Sequence, residues 1–193
     1  KVIQKSGNRL GALDAYKHRS EAQAEAAVAD VAHMFNVPVP PVALQTDGSV
    51  VSAVMAHLEE KTVDRLHNVM SRVGVEAVLT EQGSKDAKEQ MRRMAIMDHV
   101  LGNHDRGPHN LIIRNGVAYA IDNGAAFPMP GEETVIPQGF EGSFKLSPEE
   151  LDLLKNLPKS AMLRLLKQKG ITNPKVLAAV VGRIDALIES GKL

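Results

Sequence analysis

The chain has 193 residues, of which 44% are hydrophobic and 24% charged, an ordinary globular balance at a length that allows one compact domain or two small lobes sharing a cleft. Lys plus Arg and Asp plus Glu both number 23, so no bulk field draws in nucleic acid or anionic lipid, and aromatics at 3% are too few for a base-stacking platform. The absence of cysteine removes disulfide scaffolds, thiolate zinc sites and cysteine nucleophiles together.

No apolar run approaches the roughly 18 residues that span a bilayer, and no signal peptide opens the chain. Cysteine usage fits the cytoplasm or another reducing compartment, with delivery into a host cell left open. The first residue is Lys1 rather than Met, which leaves room for sequence upstream.

Residues Val2 to Lys5 alternate and predict a short strand, followed by the turn-rich Ser6-Gly7-Asn8-Arg9-Leu10-Gly11. Ser20 is the expected cap of a helix over Glu21 to Phe35, where Val28, Val31, Ala32 and Phe35 recur at helical spacing, and Asn36 with Pro38, Pro40 and Pro41 ends it. Val42 to Leu44, the turn Thr46-Asp47-Gly48-Ser49 and Val50 to Met55 predict a hairpin. His57 to Val78 is expected to be helix broken near Gly74, and Asp86 to Leu101 a helix with Met91, Met94, Ala95, Met97 and Leu101 on its apolar side. Gly102, Gly107 and Pro108 then break a polar loop. Arg114-Asn115-Gly116 between two apolar runs predicts a second hairpin. The Ser147-Pro148-Glu149-Glu150 cap announces helices at about 148–156, 159–169 and 174–190.

Chemistry concentrates between Met97 and Gly124. Asp105 and Asn110 are five apart, and Asp122 lies twelve beyond Asn110, across the hairpin. Phosphoryl transfer needs such a set: a carboxylate near the attacking hydroxyl, and an amide oxygen plus a second carboxylate for Mg²⁺, which prefers hard oxygen ligands. Asp and Asn favour turns anyway, so Asp105 and Asn110 alone could be loop residues; Asp122-Asn123-Gly124 behind the hairpin strengthens the catalytic reading.

In detail the segment resembles the phosphatidylinositol 3- and 4-kinase-like branch of the protein-kinase fold and its bacterial relatives. The elements that carry the resemblance are Asp98, Gly102-Asn103-His104-Asp105-Arg106, Asn110, Ile121-Asp122-Asn123-Gly124 and Phe127-Pro128. It covers about residues 1–128, most specifically 97–128. It implies an α+β, two-lobed kinase-like fold, with a reduced small lobe over 1–58 and a mainly helical large lobe over 59–193. It implies ATP as co-substrate, Mg²⁺ as cofactor, and transfer of a phosphoryl group to a hydroxyl. Asp105 matches the catalytic aspartate, Asn110 and Asp122 the metal ligands, and Lys5 with Glu25 the strand lysine and helix glutamate that hold the nucleotide phosphates. Glu21, one turn earlier, is the alternative to Glu25, and a strand lysine with a helix glutamate can also be solvated charges.

The chain departs from the family pattern at three places. No glycine-rich loop precedes Lys5; the histidine that relatives often carry two residues after the catalytic aspartate is Gly107 here, with His109 displaced toward Asn110; and Met129 to Lys145 is short for an activation segment. The missing loop motivates an alternative, a pseudokinase or nucleotide-binding interaction module. His104-Asp105 motivates another, a metal-dependent phosphohydrolase, although that class sets the dipeptide within helices. His99, His104 and His109 are interrupted by glycine and proline and do not form a helical zinc motif. The acceptor is expected to be a protein or soluble molecule, with lipid less favoured by the neutral charge; no nucleic acid and no integral membrane segment are expected.

Overall fold

The computed structural model describes residues 2–5, 12–47, 50–56, 72–128 and 144–193. Strand β1 (Val2–Lys5) pairs antiparallel with β3 (Val50–Ala56), which pairs in turn with β2 (Val42–Asp47). The sheet order is therefore β1-β3-β2. Thr46 and Asp47, expected in the turn, instead continue the ladder as far as Asp47 opposite Val50.

Helix α1 (Ala12–Val31) packs against β3 and β2. It begins well before the expected Ser20 cap, so Ser20 lies inside the helix. A short 3₁₀ turn, Ala32–Phe35, extends it to Asn36, whose left-handed backbone (φ 55°) ends the run as expected. The predicted face is the buried one: Val28, Val31, Ala32 and Phe35 are all at most 2% exposed.

The rest of the described chain is mainly helical. Helix α2 (Arg72–Glu81) begins two residues before Gly74 and includes it; the expected helix and break on the N-terminal side of Arg72 fall on residues 57–71, which lie outside the described residues. An isolated glycine costs a helix only about 1 kcal/mol. Burial of Val75 and Leu79 beside the helix that follows offsets that cost. That helix, α3 (Ala87–Leu101), carries Met91, Met94, Met97 and Leu101 into one continuous core. Beyond the polar loop come strands β4 (Leu111–Arg114) and β5 (Val117–Ala120), paired in register from Arg114 opposite Val117 to Leu111 opposite Ala120. Asn115 and Gly116, both at positive φ, make the tight connection that the Asn-Gly pair predicts. Gln90 locks this hairpin to α3, donating to the Gly116 carbonyl at 2.9 Å and accepting from the Ala118 N–H at 2.8 Å.

Helices α4 (Pro148–Asn156), α5 (Lys159–Gln168) and α6 (Pro174–Ser190) close the chain near the expected limits. Ser147 and Glu150 form a reciprocal capping box at the start of α4. Glu150 also accepts from Arg92 of α3, through Nε at 2.7 Å, while Arg92 donates to the Lys145 carbonyl and lies over the Phe144 ring. Helix α5 reaches back to α1, where Lys169 pairs with Asp30 at 3.2 Å and Gly170 sits against the side chain of Gln23. Among the described residues no helix is long and apolar enough to cross a membrane.

Two outcomes follow from these contacts. A Cβ at Gly116 would stand 2.8 Å from the Ser84 nitrogen on a backbone at φ +74°. Gly116→Ala is therefore expected to lose at least about 1–2 kcal/mol of stability in urea unfolding. Burial works to raise the Glu150 carboxyl, but the bonds from Arg92 and the Ser147 N–H prevail and hold it below the ordinary glutamate range. A lowered folded value means stabilisation present above that range and lost as pH falls through the folded value. Glu150→Gln should thus be less stable than the parent chain at pH 7, and unfolding at pH 3 should show the gap narrowed.

Candidate active site

The polar loop after α3 is organised around a buried cation. Gly102 ends α3 at φ +71°, and a Cβ there would meet the Pro128 ring at 2.8 Å, so glycine serves both the reversal and the close approach. The chain then doubles back so that Arg106, 1% exposed, meets Asp98 of the last helical turn, itself 1% exposed. The pair is bidentate, with Nε to Oδ2 at 3.0 Å and Nη2 to Oδ1 at 3.1 Å. Arg106 also donates to the carbonyls of Asn110 (2.9 Å) and Ile121 (2.6 Å) and to the side-chain oxygen of Asn123. Asn103 donates to Asp98 at 3.0 Å and accepts from the Asp105 N–H at 3.2 Å. One guanidinium thus ties together the helix end, the loop and the segment after β5.

The three loop residues that the spacing selects are held by this frame. Asp105 is exposed. Asn110, 3% exposed, closes a 3₁₀ turn (Pro108–Asn110), and its amide nitrogen donates to the Asp105 carbonyl at 2.6 Å and reaches Asp105 Oδ2 at 3.4 Å. The Ile121 N–H donates to the Asn110 carbonyl at 3.1 Å, bringing Asp122 in just beyond. Asp122 is exposed and has φ +54°, a left-handed conformation that Asp tolerates better than most side chains.

Oxygen chemistry at this place fits a hard divalent cation. The Oδ1 atom of buried Asn110 accepts no hydrogen bond among the described residues, and Asp122 presents a carboxylate at an exposed turn. Among the described residues no three His, Cys, Asp or Glu side chains come together as a closed metal cage. Mg²⁺ in phosphoryl transfer takes one or two carboxylates together with nucleotide phosphates, so an amide oxygen and a carboxylate suffice.

From the small-lobe side, α1 brings two carboxylates to the same turn. Glu25, 2% exposed, accepts from Asn123 Nδ2 at 3.3 Å, while Glu21 lies against Gly124, its Cβ 3.2 Å from where a glycine Cβ would stand. Lys5 occupies the end of β1 opposite Ala53, and its side chain lies outside the described residues, as do Ser6 to Gly11. The His109 ring folds back over Gly107, with Nδ1 2.7 Å from a Cβ built there, so the space of the missing 107 side chain is filled from two residues on. His99 is pushed below the ordinary histidine range by burial and by the Arg183 charge. A cavity of about 380 Å³ lies apart from these loops, between the end of α1, α3 and α4; Phe35, Arg93, Ile96 and Leu157 line it and none of the loop residues does.

Sequence reasoning left Arg106 and Asn123 without individual roles, and both are structural keystones here. One signal was available for the Asp98 and Arg106 pair. A carboxylate in the last turn of a helix opposes the macrodipole, so Asp98 breaks a local rule and calls for a compensating cation.

Comparison with known proteins agrees with this geometry. The family model described as phosphatidylinositol 3- and 4-kinase matches residues 85–185, which include the loop from Gly102 to Asn110 and the turn from Asp122 to Gly124. Among solved structures, the crystal structure of a Helicobacter pylori proinflammatory kinase, CtkA, is similar in fold, with a TM-score of 0.59 at 11% identity over 89% of this chain and 83% of that one. No curated protein sequence matches.

Asp98→Ala would strand a buried guanidinium, a change that typically costs about 3–5 kcal/mol. The expected outcome is a loss of that size in urea unfolding.

Proposed function

Because the chain belongs to the phosphatidylinositol 3- and 4-kinase family, we propose that it transfers the γ-phosphoryl group of ATP to a hydroxyl. The observation that carries the reading is the placement of two exposed carboxylates, Asp105 and Asp122, on either side of Asn110 in loops locked by Arg106. The small lobe extends over 1–58 and the large lobe over 59–193.

Asp105 orients the acceptor hydroxyl and takes its proton as the oxygen–phosphorus bond forms and the bond to ADP breaks. Asn110 steadies Asp105 through its amide nitrogen, and its amide oxygen together with the Asp122 carboxylate would hold Mg²⁺. When bound, Mg²⁺ neutralises the phosphate charge that builds up on transfer. Lys5, set by Glu25, holds the phosphates. Positioning and charge neutralisation then supply the catalysis, with no covalent enzyme intermediate. The balanced charge of the chain favours a protein or soluble acceptor over an anionic lipid surface.

Labelled ATP with Mg²⁺ tests this reading, with mass spectrometry to identify the group added to any acceptor. Binding without turnover would mark a pseudokinase instead, and phosphate release without transfer a phosphohydrolase. Within the kinase reading, Asp105→Asn should keep nucleotide and Mg²⁺ binding in calorimetry but lose about 10²–10⁴-fold in transfer, since an amide cannot take the proton. Asn110→Ala should raise the Mg²⁺ requirement, and Asp122→Ala should abolish metal-dependent turnover while staying folded. An Asp105→Asn chain that lost metal binding but kept transfer at saturating Mg²⁺ would reverse the two roles.

A further inference from the structure

The cavity of about 380 Å³ between the end of α1, α3 and α4 takes no part in the site above, and its walls are two helix faces. On α3, Glu89, Arg93 and Ile96 stand at i, i+4 and i+7; on α4, Glu149, Asp152 and Asn156 stand at i, i+3 and i+7. Phe35, Ile96 and Leu157, at 1%, 2% and 7% exposed, give it an apolar floor, while Glu149, Asp152 and Asn156 are exposed at its rim. Its volume falls at the small end of the range of ligand sites, roughly 300–1,000 Å³. The lining positions cover two turns of each helix, roughly 10 Å at 1.5 Å per residue. That length accommodates about three residues of extended chain, at roughly 3.3–3.6 Å each.

Charge narrows the choice of occupant. The lining holds four carboxylates, Glu89, Glu149, Glu150 and Asp152, against one cation, Arg93. Arg93 is paired with Glu89, and Glu150 accepts from Arg92, which stands outside the cavity, at 2.7 Å. Glu149 and Asp152 are left without a cationic partner among the described residues. An occupant must therefore offer apolar surface to the floor and positive charge to the rim; an acidic one meets repulsion. The two carboxylates lie one helical turn apart, about 5–6 Å between Cβ atoms. Alternate residues of an extended segment point the same way and are spaced to meet both, which a single amine cannot do.

We propose that this slot docks a short extended segment of a partner protein, in which an apolar side chain fills the floor and basic side chains at alternate positions pair with Glu149 and Asp152. No residue of the catalytic loop lines the slot, so a partner held here leaves Asp105 free. Docking is thus compatible with phosphoryl transfer to the same partner and does not rest on it.

The test is a fluorescence-anisotropy titration of the full chain with labelled eight-residue peptides carrying two arginines at alternate positions beside a pair of leucines. They should bind with a dissociation constant below about 1 mM, and versions with glutamate for arginine or alanine for leucine at least about 10-fold more weakly. Glu149→Gln with Asp152→Asn should weaken the arginine peptide about 10-fold, the effect of losing two exposed ion pairs. Asn156→Trp sets a large ring at an exposed position of the lining and should weaken it as much by filling the slot. Should either variant unfold, amide exchange of the wild-type chain decides: the peptide must slow exchange over 89–96 and 149–157, and protection elsewhere rejects the site. No binding, equal binding of the glutamate peptide, or binding untouched by folded variants would overturn the proposal. So would displacement of the peptide by phenethylamine at equal concentration, which would mark a small-molecule pocket instead.

Discussion

A guanidinium removed from water is tolerated only when each of its faces finds a partner, and Arg106 finds them in three different parts of the chain. Asp98 supplies a fork at the end of α3, Asn110 and Ile121 supply carbonyls from the loop and from the end of the hairpin, and Asn123 supplies an amide oxygen. None of these segments could shift alone without leaving a buried donor of Arg106 unmet. The requirement explains why a carboxylate sits in the unfavourable last turn of a helix and why so many polar side chains are buried together. It also explains how Asp105 and Asp122 can be exposed and still be well placed, since their backbones are anchored from beneath.

The seam between the lobes is built from the same economy of backbone partners. The Ala120 N–H donates to the Pro38 carbonyl at 2.9 Å, so the proline-rich stretch after α1 is stitched to the end of β5, two residues before Asp122. Proline cannot donate, but its carbonyl is as good an acceptor as any other. On its other side α1 is held by α5. The helix that contributes Glu25 therefore answers both to the small sheet and to the C-terminal helices.

Much of this was legible in the sequence where local rules decide. The Asn115-Gly116 turn, the Ser147 to Glu150 capping box and the methionine face of α3 depend on neighbours a few residues away, and they stand where expected. The misreadings sit at element ends, where local signals are weak: Ser20 offers a helix cap, but burial farther along α1 outweighs it, and pairing with β3 carries β2 through Thr46 and Asp47. The family fold and the spacing of Asp105, Asn110 and Asp122 could be read because a motif preserves them in order. The bonds of Asn123 to Glu25 and Arg106 could not, because they join residues 98 and 17 positions apart and exist only once the lobes meet.

The hold of α5 on α1 also has a consequence for biosynthesis. Asp30 and Lys169 are 139 residues apart in the chain. At about 5–20 residues per second, translation delivers the second partner on the order of ten seconds after the first. During that interval a nascent chain carries α1 with one of its supporting surfaces not yet made. Final seating of the helix that bears Glu25 is thus a late event, available only when the C-terminal helices have emerged, and a ribosome that stalls between the two would leave the small lobe incompletely braced.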